Sequence, residues 1–156
     1  MNVPGAGGAG ILPARSPFLA NGAETLRQMQ DKNAECLFCH IAPTRVIAQN
    51  ELAYAIRDGF PVTPLHSLVI PKRHVPDYFG LVAEELLAID RLLHQLRDEI
   101  LAQDPAVTGF NVGMNAGAGA GQTIFHCHVH LIPRRAGDVK NPRGGVRHVI
   151  PGKGFY

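Results

Sequence analysis

The most regular pattern of hydrophobic and polar positions in the chain lies between residues 81 and 103. Its apolar side chains recur three or four residues apart, at Leu86, Ile89, Leu93, Leu96 and Ile100. This spacing places them on one face of a helix, so the pattern predicts one long helix with a buried stripe. Asp104-Pro105 predicts where the helix ends, because the residue before a proline is disfavoured in the helical region.

Five shorter segments predict β-strands, because each combines apolar and β-branched residues with turn-forming residues at its ends. They span residues 45–49, 52–57, 67–70, 109–115 and 124–133. A parallel sheet needs a crossover helix between its paired strands, and the chain offers too few helices for that. The pattern therefore predicts an α+β domain on an antiparallel five-stranded sheet, with one long helix and short helices.

Composition divides the chain into three parts. Residues 1–33 form an extension rich in Gly, Ala and Pro, with a short helix predicted for residues 23–33. Residues 34–135 are predicted to form one domain, because this length suits a single core. Residues 136–156 form a basic tail, which either packs near the functional site or is disordered.

Charge and hydropathy exclude several function classes. The chain of 156 residues carries a formal net charge of only +2, which argues against a nucleic-acid-binding protein. No apolar run approaches the ~18 residues of a membrane span, and the N-terminus lacks the order of a signal peptide. We therefore predict a cytoplasmic protein with no membrane partner. The cations near the C-terminus form either a solvated surface or a field that favours a polyanionic small molecule: Arg134, Arg135, Lys140, Arg143, Arg147 and Lys153.

The segment Phe125-His-Cys-His-Val-His-Leu131 carries the candidate chemistry. Strand alternation would place His126, His128 and His130 on one face, each ~6.6 Å from the next. The residues between them would then face the core. Three imidazoles in a row have no packing rationale, so they indicate a metal site, a nucleophile that attacks phosphorus, or a pH switch.

Several motifs together resemble the histidine triad family. The triad segment resembles its His-φ-His-φ-His-φ-φ motif, where φ is an apolar residue. Further matches in order and spacing are Cys36-Leu-Phe-Cys39, Asp58, the segment Pro64–His74, and Asn115 through Gly121-Gln122-Thr123. The resemblance covers residues 36 to 135 and implies the histidine triad fold. It also implies a homodimer in which the two sheets are continuous.

The resemblance implies a role for each matched residue. His128 matches the nucleophile that takes the nucleotidyl group from the α-phosphate, and His130 matches the histidine that contacts phosphate and assists the leaving group. Asp58 matches the acceptor of the ribose hydroxyls, although an aspartate there would also suit a cap of the turn at Gly59. The other matched positions are an additional active-site histidine, an α-phosphate contact, and loop residues that hold phosphate oxygens or the leaving group: His66, Asn115, Gly121, Gln122 and Thr123.

The Cys36-x-x-Cys39 pair, taken alone, could be redox-active, metal-binding or incidental. Bacterial members of the family carry zinc on such a pair and two histidines, which match His74 and His126. The resemblance therefore implies a closed, structural Cys2His2 zinc site, and the alternative is a pair of ordinary apolar thiols. Cys127 is expected to be a core thiol, and the sequence assigns no role to His40 or His148.

The function implied by the resemblance is cleavage at a nucleotide α-phosphate through a covalent intermediate on His128. A dinucleoside polyphosphate is the first expected substrate, because Leu131-Ile-Pro-Arg-Arg135 resembles the branch of the family that cleaves dinucleotides. A purine nucleoside phosphoramidase and a non-enzymatic nucleotide sensor are the alternatives. Turnover of diadenosine polyphosphates relative to adenosine phosphoramidates would separate the three.

Overall fold

The five strands form one antiparallel sheet, as predicted. They run Val46–Gln49 (β1), Ala53–Arg57 (β2), Ser67–Pro71 (β3), Val107–Gly113 (β4) and Val129–Arg135 (β5). Their order in the sheet is β1-β2-β3-β5-β4, and every pairing is antiparallel. The computed structural model describes residues 33–155. Apart from Asn33, the short helix predicted for residues 23–33 lies outside the described residues.

One long helix, Ala83–Gln103 (α1), packs against the sheet. Its end is as predicted, because Asp104 is extended and its amide donates to the Ile100 carbonyl at 2.8 Å. The predicted buried stripe is partly wrong, since Leu86 and Leu93 are only half-buried. The buried face is turned slightly from the predicted one and consists of Glu85, Ala88, Ile89, Leu92, Leu96 and Ile100.

Both faces of the central strands are covered. On one face α1 packs over Ala55, Val69 and Leu131. On the other face Phe38, from the segment before β1, packs with residues of β2 and β3 such as Ile56 and Ile70. The second face borders the triad, because the ring of Phe38 also contacts His126 and His128.

The triad segment departs from the predicted strand. Strand β5 begins at Val129 rather than at residue 124, so only His130 of the three histidines lies within it. Upstream of β5 the Cys127 amide donates to the Val75 carbonyl at 2.7 Å, outside the ladder of β3. Phe125, which alternation would place in the core, is 52% exposed. Cys127 is buried as predicted, and burial raises the pKa of its thiol to about 12.

An ion pair fixes the segment after β3, where His74 lies. Arg73 donates from Nε to Glu85 Oε1 at 2.9 Å and from Nη2 to Oε2 at 2.7 Å. The Glu85 carboxylate is almost fully buried and also accepts the Val82 amide at 3.1 Å, at the start of α1. A charge-assisted pair of this geometry holds the segment against the helix and so limits the positions open to His74.

The described part of the tail folds onto the domain. Residues Gly145–Val149 form a short 3-10 helix that lies against β4. Gly144 precedes it with a φ of 91°, a left-handed conformation that favours glycine. No helix within residues 33–155 has the length and apolar character that a membrane span requires.

Candidate functional site

His128 is held in one tautomer by the backbone of the triad. Its Nδ1 lies 2.7 Å from the His126 carbonyl oxygen, which can only accept, so Nδ1 carries the hydrogen. In the uncharged ring the lone pair is then on Nε2, which makes no hydrogen bond within residues 33–155. The ring is 8% exposed and packs edge-on against Phe38, with centroids 5.1 Å apart. An oriented imidazole with an available lone pair suits a nucleophile.

Three further groups form a chain beside His128. His66 Nε2 lies 3.0 Å from His130 Nδ1, and Asp58 Oδ2 lies 3.4 Å from His66 Nδ1. These groups extend to His128, because the ring centroids of His128 and His130 are 5.2 Å apart. The structure therefore brings together four of the residues selected from the sequence.

Burial lowers the pKa values of His66 and His130, which favours their uncharged forms at neutral pH. It lowers the pKa of His130 to about 4, with a further decrease from the neighbouring His128 and His66 and an opposing effect of Asp58. Burial also lowers the pKa of His66, again opposed by Asp58. A neutral imidazole can accept or donate one proton, which is what a group beside a leaving oxygen needs.

The backbone before His66 is constrained in a way that the sequence did not indicate. Leu65 has a φ of 70°, in the left-handed region that costs a non-glycine residue roughly 1–2 kcal/mol. Its carbonyl accepts from Ser67 Oγ at 2.8 Å and from Arg57 Nη1 at 3.2 Å. These two donors stabilise the turn that directs His66 toward His130. Arg57 is thus a positioning residue that sequence analysis missed.

Both carboxylate oxygens of Asp58 have partners within residues 33–155. Its Oδ1 accepts the Phe60 amide at 2.9 Å, which is the turn cap considered as the alternative to ribose binding. Its Oδ2 faces His66, and the side chain is 15% exposed. The turn cap is present, and it leaves the second oxygen oriented toward the histidines.

The loop between β4 and β5 places its three candidate residues differently. Gln122 is 4% exposed and bonded at both ends of its amide: Oε1 accepts the Gly117 amide at 2.8 Å, and Nε2 donates to the Pro76 and Ile124 carbonyls. It therefore holds the loop in shape. Gly121 has a φ of 84°, a conformation that favours glycine, and Thr123 is exposed.

Two cavities border the histidines. One, of about 500 Å³, contains His66 and His130 in its wall together with Asn115, whose half-buried amide makes no hydrogen bond within residues 33–155. Thr123 lies elsewhere, in a cavity of about 360 Å³ next to Cys36 and His74. Asn115 and Thr123, both expected to contact phosphate, thus lie in different cavities. The larger cavity is also lined by tail residues that sequence analysis did not select: Gly145, Val146, His148 and Val149.

The two cysteines of the Cys-x-x-Cys pair meet two histidines. Sγ of Cys36 and Nδ1 of His126 are 3.4 Å apart, and Sγ of Cys39 lies 3.4 Å from His74 Nδ1 and 3.6 Å from His126 Nδ1. The four potential ligand atoms all lie within 4.8 Å of one another. The residues implied by the family resemblance are therefore clustered.

The donor set fits a tetrahedral zinc ion. Zinc bonds of about 2.3 Å to sulfur and 2.0–2.1 Å to nitrogen give tetrahedral S···N edges of about 3.5–3.6 Å, close to the observed separations. The Nε2–H of His126 donates to the Pro71 carbonyl at 2.8 Å, which leaves its Nδ1 lone pair directed at the thiols. Such a bond on the far ring nitrogen is usual for a metal-binding histidine.

Comparison with known proteins identifies the family. The family model described as HIT domain matches residues 40–137. The chain belongs to the HIT family. A HIT-like protein of Mycoplasma pneumoniae is 39% identical over 106 residues, covering 65% of this chain and 73% of the relative. The fold agrees with a zinc-bound histidine triad protein of Mycobacterium smegmatis, with a TM-score of 0.63 and 33% identity over 69% of this chain and 80% of that one.

Two HIT relatives are named for an activity. The chain is 36% identical to the AP-4-A phosphorylase of Mycobacterium tuberculosis over 97 residues, covering 60% of this chain and 48% of the relative. It is 32% identical to the adenylylsulfatase HINT3 of Arabidopsis thaliana over 108 residues, covering 67% of this chain and 54% of the relative. The chain thus spans about half the length of each of these two relatives. The HIT family includes nucleotide-binding hydrolases and transferases.

Proposed function

We propose that this HIT protein is a hydrolase or transferase that cleaves at a nucleotide α-phosphate through a covalent nucleotidyl intermediate on His128. The observation that carries the proposal is the hydrogen bond from His128 Nδ1 to the His126 carbonyl. With Nδ1 bonded in this way, Nε2 is the ring nitrogen that attacks phosphorus with its lone pair. A neutral nucleophile adds no charge repulsion as it approaches a phosphate.

The reaction has two steps. In the first, Nε2 of His128 attacks the α-phosphorus, a P–N bond forms, and the bond to the leaving oxygen breaks with its electron pair going to that oxygen. His130, with His66 behind it, supplies a proton to the leaving group. In the second step water attacks the phosphorus, the P–N bond breaks, and the proton lost by water returns to the histidines.

We propose a dinucleoside polyphosphate as the substrate. The two relatives with named activities both act on adenylyl compounds, one with a nucleotide leaving group and one with sulfate. Transfer of the adenylyl group is therefore the shared expectation, and the leaving group separates the members. The cationic tail beside the cavity favours the more highly charged polyphosphate. A purine nucleoside phosphoramidase is the alternative, with the same nucleophile.

The remaining site residues take supporting roles in this proposal. Asn115 offers its unpartnered amide to the α-phosphate from the wall of the cavity. Asp58 Oδ2 accepts a ribose hydroxyl, and Gln122 with Gly121 sets the shape of the loop that precedes the triad. Thr123 needs a change of the loop to contact phosphate, because it lies beside the cysteines.

A structural zinc on Cys36, Cys39, His74 and His126 is also proposed. All four tetrahedral positions would be filled by protein, so the metal would stabilise the fold around the triad and leave no position for substrate. A homodimer is proposed as well, because β4 lies at an edge of the sheet, where a second copy could pair with it. The molar mass in solution tests the dimer.

Relative turnover tests the proposed activity. The purified protein is incubated with diadenosine tetraphosphate, adenosine 5′-phosphoramidate and adenylyl sulfate, and released AMP is measured. We expect AMP from each, fastest from the tetraphosphate, and none from the His128→Ala variant. Faster release from the phosphoramidate would identify the alternative enzyme, and no release from any of them would indicate a nucleotide sensor.

A further inference from the structure

The segment that precedes β3 is held in place by strand β5. We call residues 62–66 the His66 loop. Thr63 Oγ1 donates to the Pro133 carbonyl at 2.9 Å, and Arg135 Nη2 donates to the Pro64 carbonyl at 3.3 Å. Pro133 and Arg135 both lie in β5, which also carries the third triad histidine. One strand therefore fixes the positions of both imidazoles that serve the leaving group.

The His66 loop determines where the ring of His66 lies. The Val62 amide donates to His66 Nδ1 at 3.3 Å, and the His66 amide donates to the Thr63 carbonyl at 3.1 Å. The loop thus bonds to the ring as well as to the backbone of this histidine. Its conformation depends on anchors from outside, because the left-handed φ of Leu65 is unfavourable for leucine and persists only where the surroundings impose it.

Arg135 is itself oriented by an ion pair with Asp104. It donates from Nε at 3.0 Å and from Nη2 at 2.6 Å to Asp104 Oδ2, and both side chains are half-buried. The hydrogen bond from Arg135 holds the pKa of the Asp104 carboxyl below its ordinary value. Asp104 follows the last residue of α1, and its Oδ1 accepts the Ala106 amide at 2.9 Å. The pair therefore connects the end of the helix to the His66 loop.

These contacts distinguish Arg135 from the neighbouring arginine. Arg134 donates from Nε and Nη2 to Asp138 and from Nη1 to Asn111, and within residues 33–155 it makes no hydrogen bond with the His66 loop. Neither arginine lines the cavity beside the histidines. Both charges are compensated by aspartates, so Arg135 acts through the loop rather than as a free cation that attracts a polyanion.

We propose that the Arg135–Asp104 ion pair positions His66 for proton transfer to the leaving group. The inference rests on the proposed function, in which His66 and His130 supply that proton. Arg135 holds the loop around Leu65, and the loop keeps His66 Nε2 at 3.0 Å from His130 Nδ1. Arg135 and Asp104 are positioning residues. Their loss should slow a reaction only as far as its leaving group needs a proton.

Two matched variants and two substrates test this dependence. Arg135→Gln and Arg134→Gln each remove one arginine of β5 that is paired with an aspartate, and only the first removes a bond to the His66 loop. Adenosine 5′-phosphoramidate releases ammonia, so a proton must reach its nitrogen as the bond to phosphorus breaks. Adenylyl sulfate releases sulfate, a weak base that leaves without a proton.

The expected result is a change in kcat that depends on the leaving group. Arg135→Gln should lower kcat for the phosphoramidate by about tenfold or more and kcat for adenylyl sulfate by less than about twofold, because a displaced proton donor affects only the first. KM should change little, since Arg135 does not contact substrate. Arg134→Gln should leave the ratio of the two kcat values as in wild type. Equal losses for both substrates, or a raised KM with unchanged kcat, would overturn the inference.

Asp104→Asn provides a second, milder variant. Asparagine keeps an oxygen that can accept the Ala106 amide, so the end of α1 should persist while the charge that orients Arg135 is lost. It should change the ratio of kcat values in the same direction as Arg135→Gln. The double variant should match Arg135→Gln alone, because both changes break the same connection. Losses that simply add would contradict a shared role.

A measurement without turnover separates this inference from the proposed activity. The imidazole nitrogen resonances of His66 and His130 are recorded by NMR in nitrogen-15-labelled protein without substrate. Arg135→Gln should shift the resonances of His66 Nε2 and His130 Nδ1, because the hydrogen bond between them weakens, and Arg134→Gln should not. Unshifted resonances in Arg135→Gln would overturn the positioning role. Shifted resonances in a protein that releases AMP from no substrate would overturn the proposed activity and leave the positioning of His66 in place.

Discussion

The His126 carbonyl accepts the Nδ1–H of His128 at 2.7 Å, so the backbone of one triad histidine sets the tautomer of the next. The side chain of His126 points away from this bond and into the cluster with Cys36 and Cys39. His126 therefore belongs both to the Cys/His cluster, through its side chain, and to the group around His128, through its carbonyl. A metal bound at the cluster would hold His126 in place, and through the His126 carbonyl it would hold the ring of His128.

This relationship predicts how loss of the metal affects the protein. Cys36→Ser and Cys39→Ser should each lower the zinc content from about one ion per chain toward zero and lower the melting temperature, because a structural zinc site contributes directly to folding. The kcat value should fall as well, since the His126 carbonyl is less constrained. Metal analysis, thermal unfolding and steady-state kinetics measure the three effects.

Cys127→Ala is the control for these variants. Cys127 is buried in the core and is not among the clustered ligand atoms, so its loss should reduce stability and leave the zinc content unchanged. A wild-type protein that is purified without chelator, contains no metal and is fully stable would contradict the zinc proposal.

Asp58→Asn tests nucleoside recognition. Asparagine keeps an oxygen that can accept the Phe60 amide, so the turn should persist and the melting temperature should change little. It replaces the second acceptor with a donor, and hydrogen bonds to charged groups contribute about 1.5–3 kcal/mol. We expect AMP to bind roughly tenfold to a hundredfold more weakly at that bond strength. Calorimetric affinities for AMP and deoxy-AMP should also become more similar; an unchanged ratio would leave Asp58 as a turn residue only.

The buried histidines predict how stability depends on pH. The pKa of His130 is lowered to about 4 in the folded protein, against about 6.5 in an unfolded chain. Between these values the unfolded state binds more protons, so the free energy of unfolding is greatest above pH 6.5 and falls as the pH decreases toward 4. The shift corresponds to at most about 3 kcal/mol.

His130→Gln isolates this effect. The free energy of unfolding in urea is measured for wild type and variant from pH 7.5 to 4.5. Both proteins have the same metal ligands, so protonation of those ligands affects the two curves alike. The variant should lose stability less steeply on acidification. Parallel curves would show that His130 titrates normally in the folded state.

The fold was largely predictable from the sequence, because periodicity reports local burial. Apolar and β-branched segments between turn residues predicted all five strands, with shifts of a few residues at their bounds, and Asp104-Pro105 predicted the helix end. Alternation failed at the triad because the chain before Val129 bonds to the Val75 carbonyl instead of continuing the ladder. A two-residue period carries no information about which partner a backbone amide selects.

The site was predictable only where motifs mark it. The family resemblance implied a cluster of Cys36, Cys39, His74 and His126, and the structure contains it. The packing of residues 143–155 was not predictable, since it depends on contacts of the His148 ring with Phe155 and Gly154 that have no sequence period. The positive φ of Leu65 was also not predictable, because a leucine in the sequence does not indicate a left-handed backbone conformation.

The covalent intermediate tests the central claim most directly. Wild-type protein is mixed with a substoichiometric amount of diadenosine tetraphosphate, quenched within a single turnover, digested and analysed by mass spectrometry. The proposal predicts an acid-labile adenylyl group on the peptide that contains His128, located on that residue by fragmentation and absent from His128→Ala. An adenylyl group on a different residue, or turnover by His128→Ala close to that of wild type, would contradict it.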